Sequence, residues 1–349
     1  MTTHGKRAGG GTDGSPTPRR LGFRMPAEWE PHEATWLSWP HNEDDWPGRF
    51  APIPWVYGEI VRKLSTVERV QILVHNEELR ESARRVLEKV GANMAAVGLH
   101  LRATDRVWTR DFAPLFVKNA QGEVAAVKFN FNGWAKYENY LLDDDAGRAI
   151  PGVRWQPDMV LEGGSFDVNG AGLLLTTEEC LLSPIQARNP MLNREQLESR
   201  LSDYLGIDRV LWLNNGICGD DTHGHIDDLA RFTDAESIVI VSEDDPSDPN
   251  YAPLRENWER VQAMPLRARK LPMPKPLWFD GVRLPASYAN FYIANKTVLV
   301  PTFNDPNDRI ALNTLSECFP DRQVTGINCV ELVWGLGTLH CMTQQQPAN

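Results

Sequence analysis

The stretch Asp158–Cys180 reads DMVLEGGSFDVNGAGLLLTTEEC. Polar and small residues run into a short apolar segment. The chain then turns at Asn169-Gly170-Ala171-Gly172 and returns on a Leu-rich segment, which is the signature of a β-hairpin. The pattern recurs in DRVWTRDFAPLFVKNAQGEVAAVKF (Asp105–Phe129), THGHIDDLARFTDAESIVIVSED (Thr222–Asp244) and PASYANFYIANKTVLVPTFND (Pro285–Asp305). Four copies spaced by roughly 50–65 residues mark an array of repeated supersecondary units. A helical segment can be drawn between several copies, so the units are of ββαβ type. Such repetition predicts an α/β chain closed into a propeller-like assembly. At the same end of the first strand of each copy stands a polar residue capable of chemistry: Asp111, Glu162, His225 with Asp227, and Asn290. In a closed array these ends converge on one axis; otherwise they are only polar residues at strand starts.

Around these copies the elements are short, as 26 Gly and 25 Pro scattered through the chain require. Asn76 to Val90 reads as an amphipathic helix with Asn76 as N-cap and Gly91 as stop, and Arg194 to Leu205 as a second. Ile60–Leu64 belongs to a third. Strands are expected at Val70–Val74, Val107–Val117, Gly172–Thr176, Val210–Leu213, Ser237–Val241 and Lys296–Val300. Residues 1–22, rich in Gly, Thr, Pro and basic residues without an apolar run, read as a disordered tail and not a signal peptide. No linker interrupts residues 23–349, which read as a single catalytic domain.

With 42% hydrophobic and 24% charged residues, the 349-residue chain has ordinary globular composition. A net charge of −11 disfavours nucleic acid or an anionic membrane as partner and suits a cationic ligand. No apolar run reaches the ~18 residues of a membrane span. Five cysteines without a CxxC pair make a disulfide framework or zinc ribbon unexpected and point to a reducing, cytoplasmic setting.

Cys341 follows Gly335 and Gly337 and adjoins His340, a setting for a nucleophilic thiol, although a free Cys is often only a small buried hydrophobe. In His223-Gly-His225-Ile-Asp227-Asp228 three readings stand: an HxHxD metal site, a general base with a carboxylate facing one cleft, or a hydrogen-bonded turn. Period-two alternation along one strand places His225 and Asp227 on the same face. Asp111 beside Trp108, Glu162 before two glycines, and Asp227 supply carboxylates. These match the planar donors of a guanidinium, to which Trp108 could add a cation–π contact.

The segments MPAEWEPHEATWLSWPHNEDDWPG (Met25–Gly48), WTRDFAP (Trp108–Pro114), LEGGSFDVNG (Leu161–Gly170), GDDTHGHIDDLARF (Gly219–Phe232), PASYANFYIAN (Pro285–Asn295) and HCMTQQQP (His340–Pro347) resemble, in order, the agmatine deiminase family of guanidine-modifying penteins. The resemblance implies a five-fold pseudosymmetric α/β propeller and a catalytic set of Cys341, His225, Asp227, Asp111 and Glu162. Cys341 would be the nucleophile and His225 the acid/base. Asp111 and Asp227 would grip the guanidinium, Glu162 would support His225, and Asn290 and Trp108 would contribute to substrate binding. The implied reaction is conversion of agmatine to N-carbamoylputrescine and ammonia through a Cys thioether, with no cofactor and no metal. The expected partner is a small cationic guanidino substrate, and a homo-oligomer is possible.

The chain departs from the family pattern before Cys341, in Asp111-Phe-Ala-Pro, and in Lys128–Asp145. Rival substrates are therefore arginine, peptidyl-arginine and ω-guanidino acids. Rival classes are an amidinotransferase, a metal-dependent hydrolase using His223, His225 and Asp227, and a non-catalytic binding propeller. No Arg lies between Phe112 and Gly147 to clamp a carboxylate. The acidic runs Glu43–Asp45, Asp143–Asp145 and Asp220–Asp221 favour a distal ammonium, unless Lys118, Lys128, Lys136 or Arg110 holds a carboxylate.

Overall fold

The computed structural model describes residues 16–349. The tail expected over residues 1–22 therefore falls, for residues 1–15, outside the described residues. Residues 16–22 are not tail-like: Arg19–Leu21 forms a single 3-10 turn, and Arg19 bonds Ser202 and Asp208.

Among the described residues, five mixed sheets share one strand order. Phe166–Val168 pairs antiparallel with Leu173–Thr177, which pairs parallel with Arg209–Leu213. Ala230–Asp234, Ser237–Ser242 and Arg267–Pro272 repeat this arrangement, as do Tyr292–Ile293, Thr297–Thr302 and Gln323–Asn328. Leu115–Asn119, Val124–Val127 and Val153–Trp155 do the same, with Phe23–Arg24 added at the edge. Between the two parallel strands of each runs a helix: Arg194–Leu205, Tyr251–Gln262, Asn307–Cys318 and Leu141–Ala149. The crossover is required because parallel neighbours cannot be joined by a tight turn.

The fifth sheet joins the two ends of the described chain. Gln344–Pro347 pairs antiparallel with His32–Ser38, followed in parallel by Arg69–Val74 and Val97–Leu101. Four hairpins are legible as contiguous sequence; this one is not, because its two strands lie some three hundred residues apart. A separate ribbon, Trp278–Phe279 with Val282–Arg283, stands outside the five sheets.

Two helices start and stop where the sequence predicts. The Asn76 side chain accepts from Leu79 N–H, and Gly91, at φ 78°, ends Glu77–Val90. Asn193 and Gln196 form a capping box on Arg194–Leu205. Ile60–Leu64 is the second half of Ile53–Leu64.

The strand expected over Val107–Val117 is not continuous. Thr109–Phe112 is one helical turn, and the strand begins at Leu115. Pro114 disfavours helical geometry at Ala113, so the turn ends there and the chain leaves extended. His225 and Asp227 likewise do not lie on a strand; Ile226–Asp228 is a 3-10 turn and the strand starts at Ala230. Among the described residues no helix is long and apolar enough to cross a membrane.

Candidate active site

Each of the five sheets has a segment just before its first strand that presents a polar side chain, and one of them presents two. Asp111 lies in the turn before Leu115, Glu162 just before Gly163–Ser165, and His225 and Asp227 at Ile226–Asp228. Asn290 precedes Tyr292, and Cys341 precedes Gln344. All six are buried. Cys341, Asp111 and Trp108 line a cleft of about 360 Å³, whereas Glu162, His225, Asp227 and Asn290 are not among its lining residues.

Cys341 Sγ accepts from Asn290 Nδ2 at 3.0 Å and lies 3.6 Å from Asp227 Oδ2. The His225 ring is surrounded by carboxylates: Nδ1 is 4.0 Å from Asp111 and 3.9 Å from Asp227, and Nε2 is 4.0 Å from Glu162. Both ring nitrogens, Asp227 Oδ1 and Glu162 Oε2 are buried without a hydrogen-bond partner. Buried polar atoms are normally satisfied, so such a group of orphans marks a place built to receive something.

The remaining atoms of the site are fixed. Asp111 accepts from Gly164 N–H at 3.0 Å and from Trp134 Nε1 at 2.9 Å. Glu162 Oε1 accepts from Arg188 at 3.1 Å. Asn290 donates to Asp228 at 3.0 Å, and its Oδ1 accepts from Thr338 and from the backbone of His340.

Two glycines make the approach possible. A Cβ on Gly164 would lie 2.6 Å from His225 Nδ1 and 2.9 Å from both Asp111 and Asp227; one on Gly337 would lie 2.8 Å from the Trp108 ring.

Electrostatics follow from burial. It raises the Cys341 thiol well above its usual range, and Asp227, Asp228 and Asp111 raise it further, so the free enzyme holds a neutral thiol. Asp111 is pushed up to about 6 by burial, against the attraction of His225. Burial disfavours a charged His225, but Asp111, Cys180 and Asp227 hold its pKa well above the ordinary imidazole value. Burial also opposes ionisation of Asp227, yet His340 and His225 lower it.

The sequence reading passed over several participants. Trp134, in the Lys128–Asp145 segment, donates to Asp111. Cys180 packs behind His225 with its sulfur within 4.8 Å of the ligand atoms of His225 and Glu162. Glu28 and His340 are linked through a buried network to Arg110 and Arg231. Signals existed in part: Glu28 lies in a motif quoted above, and His340 adjoins the thiol. The metal trio does not assemble, since His223 turns to Ser183 at 3.1 Å and to Glu179.

Asn290 reaches Sγ rather than the cleft wall. The run Asp143–Asp145 does not line the cleft: Asp143 accepts from the backbone N–H groups of Asp105 and Arg106, Asp144 pairs with Lys128 and Arg148, and Asp145 is exposed.

A mixed α/β chain with a thiol, an imidazole and several carboxylates around one cleft is of the guanidine-modifying hydrolase class. Residues 24–347 match the family model described as Porphyromonas-type peptidyl-arginine deiminase. The chain is 37% identical to the agmatine deiminase of Pseudomonas aeruginosa (strain UCBPP-PA14), over 95% of this chain and 97% of the relative. It superposes on the agmatine deiminase of Enterococcus faecalis with a TM-score of 0.88 at 33% identity, covering 96% of this chain and 98% of that one. A substrate-bound Cys-to-Ser variant of the C. jejuni agmatine deiminase matches with a TM-score of 0.85 at 31% identity, covering 93% and 96%. The chain belongs to the agmatine deiminase family of the pentein superfamily.

Proposed function

We propose that this protein hydrolyses agmatine to N-carbamoylputrescine and ammonia at Cys341, in a single catalytic unit spanning residues 23–349. In this reading the five sheets stand around one axis as a five-fold propeller. The observation that carries it is the buried group of unpartnered atoms beside a thiol: Asp227 Oδ1, Glu162 Oε2 and both nitrogens of His225. A guanidinium supplies planar N–H donors to Asp111 and Asp227 and places its carbon near Sγ.

The resting thiol is neutral; the bound cation favours the thiolate by adding positive charge beside it, and the thiol proton leaves to solvent through the cleft, where the departing ammonia becomes ammonium. The thiolate attacks the guanidinium carbon. His225, protonated in the free enzyme, gives its proton to the departing nitrogen and ammonia leaves. An amidino-thioether remains on Cys341. The neutral His225 then takes a proton from water, whose oxygen attacks the same carbon. The C–S bond breaks, the hydroxyl proton of the tetrahedral carbon passes to the sulfur, and the ureido product leaves the thiol restored.

Agmatine is favoured over arginine by the cleft wall. Asp44, Asp45 and Asp221 line it. Asp45 is tied to Arg106, and Asp221 to Lys136 and Tyr137. Among the described residues Asp44 has no ion pair and faces a distal ammonium. Lys118 bonds the carbonyl of Ala348, Lys128 bonds Asp144, and Arg110 is buried against Glu28, while Arg106, which lines the cleft, is paired there with Asp45.

A cytoplasmic setting fits five free cysteines. The deciding experiment is an ammonia-release screen over agmatine, arginine, arginine peptides and 4-guanidinobutyrate. Agmatine is expected to exceed arginine by about a hundredfold in kcat/KM, ~2.8 kcal/mol. Equal rates with arginine or 4-guanidinobutyrate would overturn the substrate assignment, and a peptide preferred over both would make the protein a peptidyl-arginine deiminase.

A further inference from the structure

The cleft in front of Cys341 is larger than agmatine requires. Its volume is about 360 Å³, and Asp227, Glu162 and His225 lie outside its lining. A dry cavity of ~150 Å³ already takes benzene, and agmatine is only slightly larger than benzene. With the guanidinium drawn in among the carboxylates, most of the cleft is left for the far part of a substrate. One wall of that space is apolar, formed by Trp334, Leu336, Val282 and Leu284.

Trp334 and Leu336 belong to the segment before Cys341 in which the chain departs from the family pattern. Leu332–Gly335 is a 3-10 turn that ends at Leu336, with φ 66° and ψ 25°. A branched apolar residue is disfavoured in this left-handed region, which Gly or Asn enters readily. Such strain persists only where the surroundings impose it, and it gathers at ligand-binding positions. Here two indoles impose it. Trp46 Nε1 donates to the Leu332 carbonyl at 2.9 Å, and Trp334 Nε1 donates to the Pro47 carbonyl at 3.2 Å. A Cβ on Gly335 would lie 2.7 Å from the Trp46 ring, and one on Gly337 2.8 Å from the Trp108 ring. The turn is thus pressed onto Trp46 and Trp108, and Trp334 and Leu336 line the cleft.

The other half of the wall comes from the ribbon outside the five sheets. Asp280 and Gly281, at φ 48° and 77°, make its tight turn. Arg283 is buried against Asp248 at 2.8 Å, so the cation of the ribbon is engaged away from the wall. Phe279 packs edge-on against Trp334, and the Arg49 guanidinium lies 4.6 Å over the Phe279 ring. Val282 is left 53% exposed, while Leu284 beside it is buried.

We propose that Trp334, Leu336, Val282 and Leu284 form an apolar subsite for the far end of the substrate, so that the enzyme takes guanidinoalkylamines carrying an apolar group beyond the distal nitrogen. The inference rests on the reading of the cleft as a guanidine deiminase site. The wall and Cys341 line one continuous cleft, so the occupant of the wall is the molecule that reacts at the thiol. A secondary ammonium keeps the charge that suits Asp44, and its substituent covers apolar surface that agmatine leaves wet.

The test measures kcat/KM for two pairs: N-benzylagmatine against agmatine, and 4-phenylbutylguanidine against butylguanidine. Within each pair the ring-bearing compound should be favoured by about tenfold, since even one methylene in an apolar pocket is worth about that much. A ratio of one or less in both pairs would overturn the proposal. If a pair is not turned over, its dissociation constants on Cys341→Ser, by calorimetry, give the same ratio. The second pair has no ammonium, so it stands apart from the choice of agmatine. Failure of agmatine with the ring preference kept would sink that choice and leave the subsite standing. Turnover of agmatine without a ring preference would do the reverse.

Two variants place the effect on the wall. Leu336→Asn puts there a residue that the left-handed backbone accepts, and Val282→Ser alters an exposed position, so the fold should survive both. Each should cut the ring preference at least threefold. Equal losses on both members of a pair would show residues that only support the loop, and would refute the subsite.

Discussion

Gly164 lacks a side chain because any Cβ there would intrude among His225, Asp111 and Asp227. Gly164→Ala should leave the fold intact and lower kcat/KM by about a hundredfold, since displacing a catalytic group by ~1 Å costs that much. Circular dichroism and steady-state kinetics on one preparation check both halves. Cys341→Ser should abolish turnover with little change in thermal stability, and a rate within tenfold of wild type would rule out the covalent route.

Asp111 gives a pH dependence. Its pKa of about 6 in the free protein, above the ordinary 3.8, means that it is still protonated at pH 5. kcat/KM should therefore climb between pH 5 and pH 7 with a limb near 6. The sign of the stability effect is opposite. A carboxyl raised on folding contributes stability that is present below pH 4 and is lost as pH rises through about 6, ~3 kcal/mol in order of magnitude. A bound guanidinium offsets that loss, so agmatine should raise the melting temperature of Cys341→Ser more at pH 8 than at pH 5.

At the scale of elements, the segment between the second and third strands of the Asp111 unit does more than connect. Gly133–Ala135 is a 3-10 turn with Trp134 at φ 57°, a left-handed backbone, and it aims the Trp134 indole at Asp111. Nothing in KFNFNGWAKY signals this, because the target lies about twenty residues back along the chain and in another element. Trp134→Phe removes a hydrogen bond that lowers the Asp111 pKa, so Asp111 should titrate higher. The loss in kcat/KM should be greater at pH 6 than at pH 8, whereas a loss independent of pH would make Trp134 only a wall of the cleft. The hairpins themselves were legible, because alternating or Leu-rich runs around Asn-Gly or Asp-Ala-Glu turns are local features. Thr109–Phe112 was not: its apolar neighbours imitate a strand, and Pro114 decides otherwise.

For the whole molecule, the sheet formed by the two ends of the described chain places Cys341, the proposed nucleophile. Gln344–Pro347 pairs with His32–Ser38, Gln345 accepts from Arg110 Nη1 at 2.6 Å, and Ala348 N–H donates to Pro31 O at 2.8 Å. Truncation after Thr343 removes this strand three residues from Cys341. It should abolish activity and lower the melting temperature by at least several degrees, whereas truncating residue 349 alone should be tolerated; differential scanning fluorimetry with the ammonia assay distinguishes the two.

The sequence by itself determined the repeated units, the helix caps, the identity of the polar residues ahead of each strand, and, through motif resemblance, the family. These depend on hydrophobic periodicity, turn chemistry and short-range spacing, all written along the chain. Tertiary structure alone decided that the ends complete a fifth sheet, that Trp134 reaches Asp111, and that His340 sits between Glu28 and Asp227. It also decided that Asp143 and Asp144 turn inward as scaffold while Asp44 and Asp221 reach the cleft. Long-range pairings and the charge state of crowded carboxylates depend on which groups meet in space, and residues some three hundred positions apart carry no local pattern that says so.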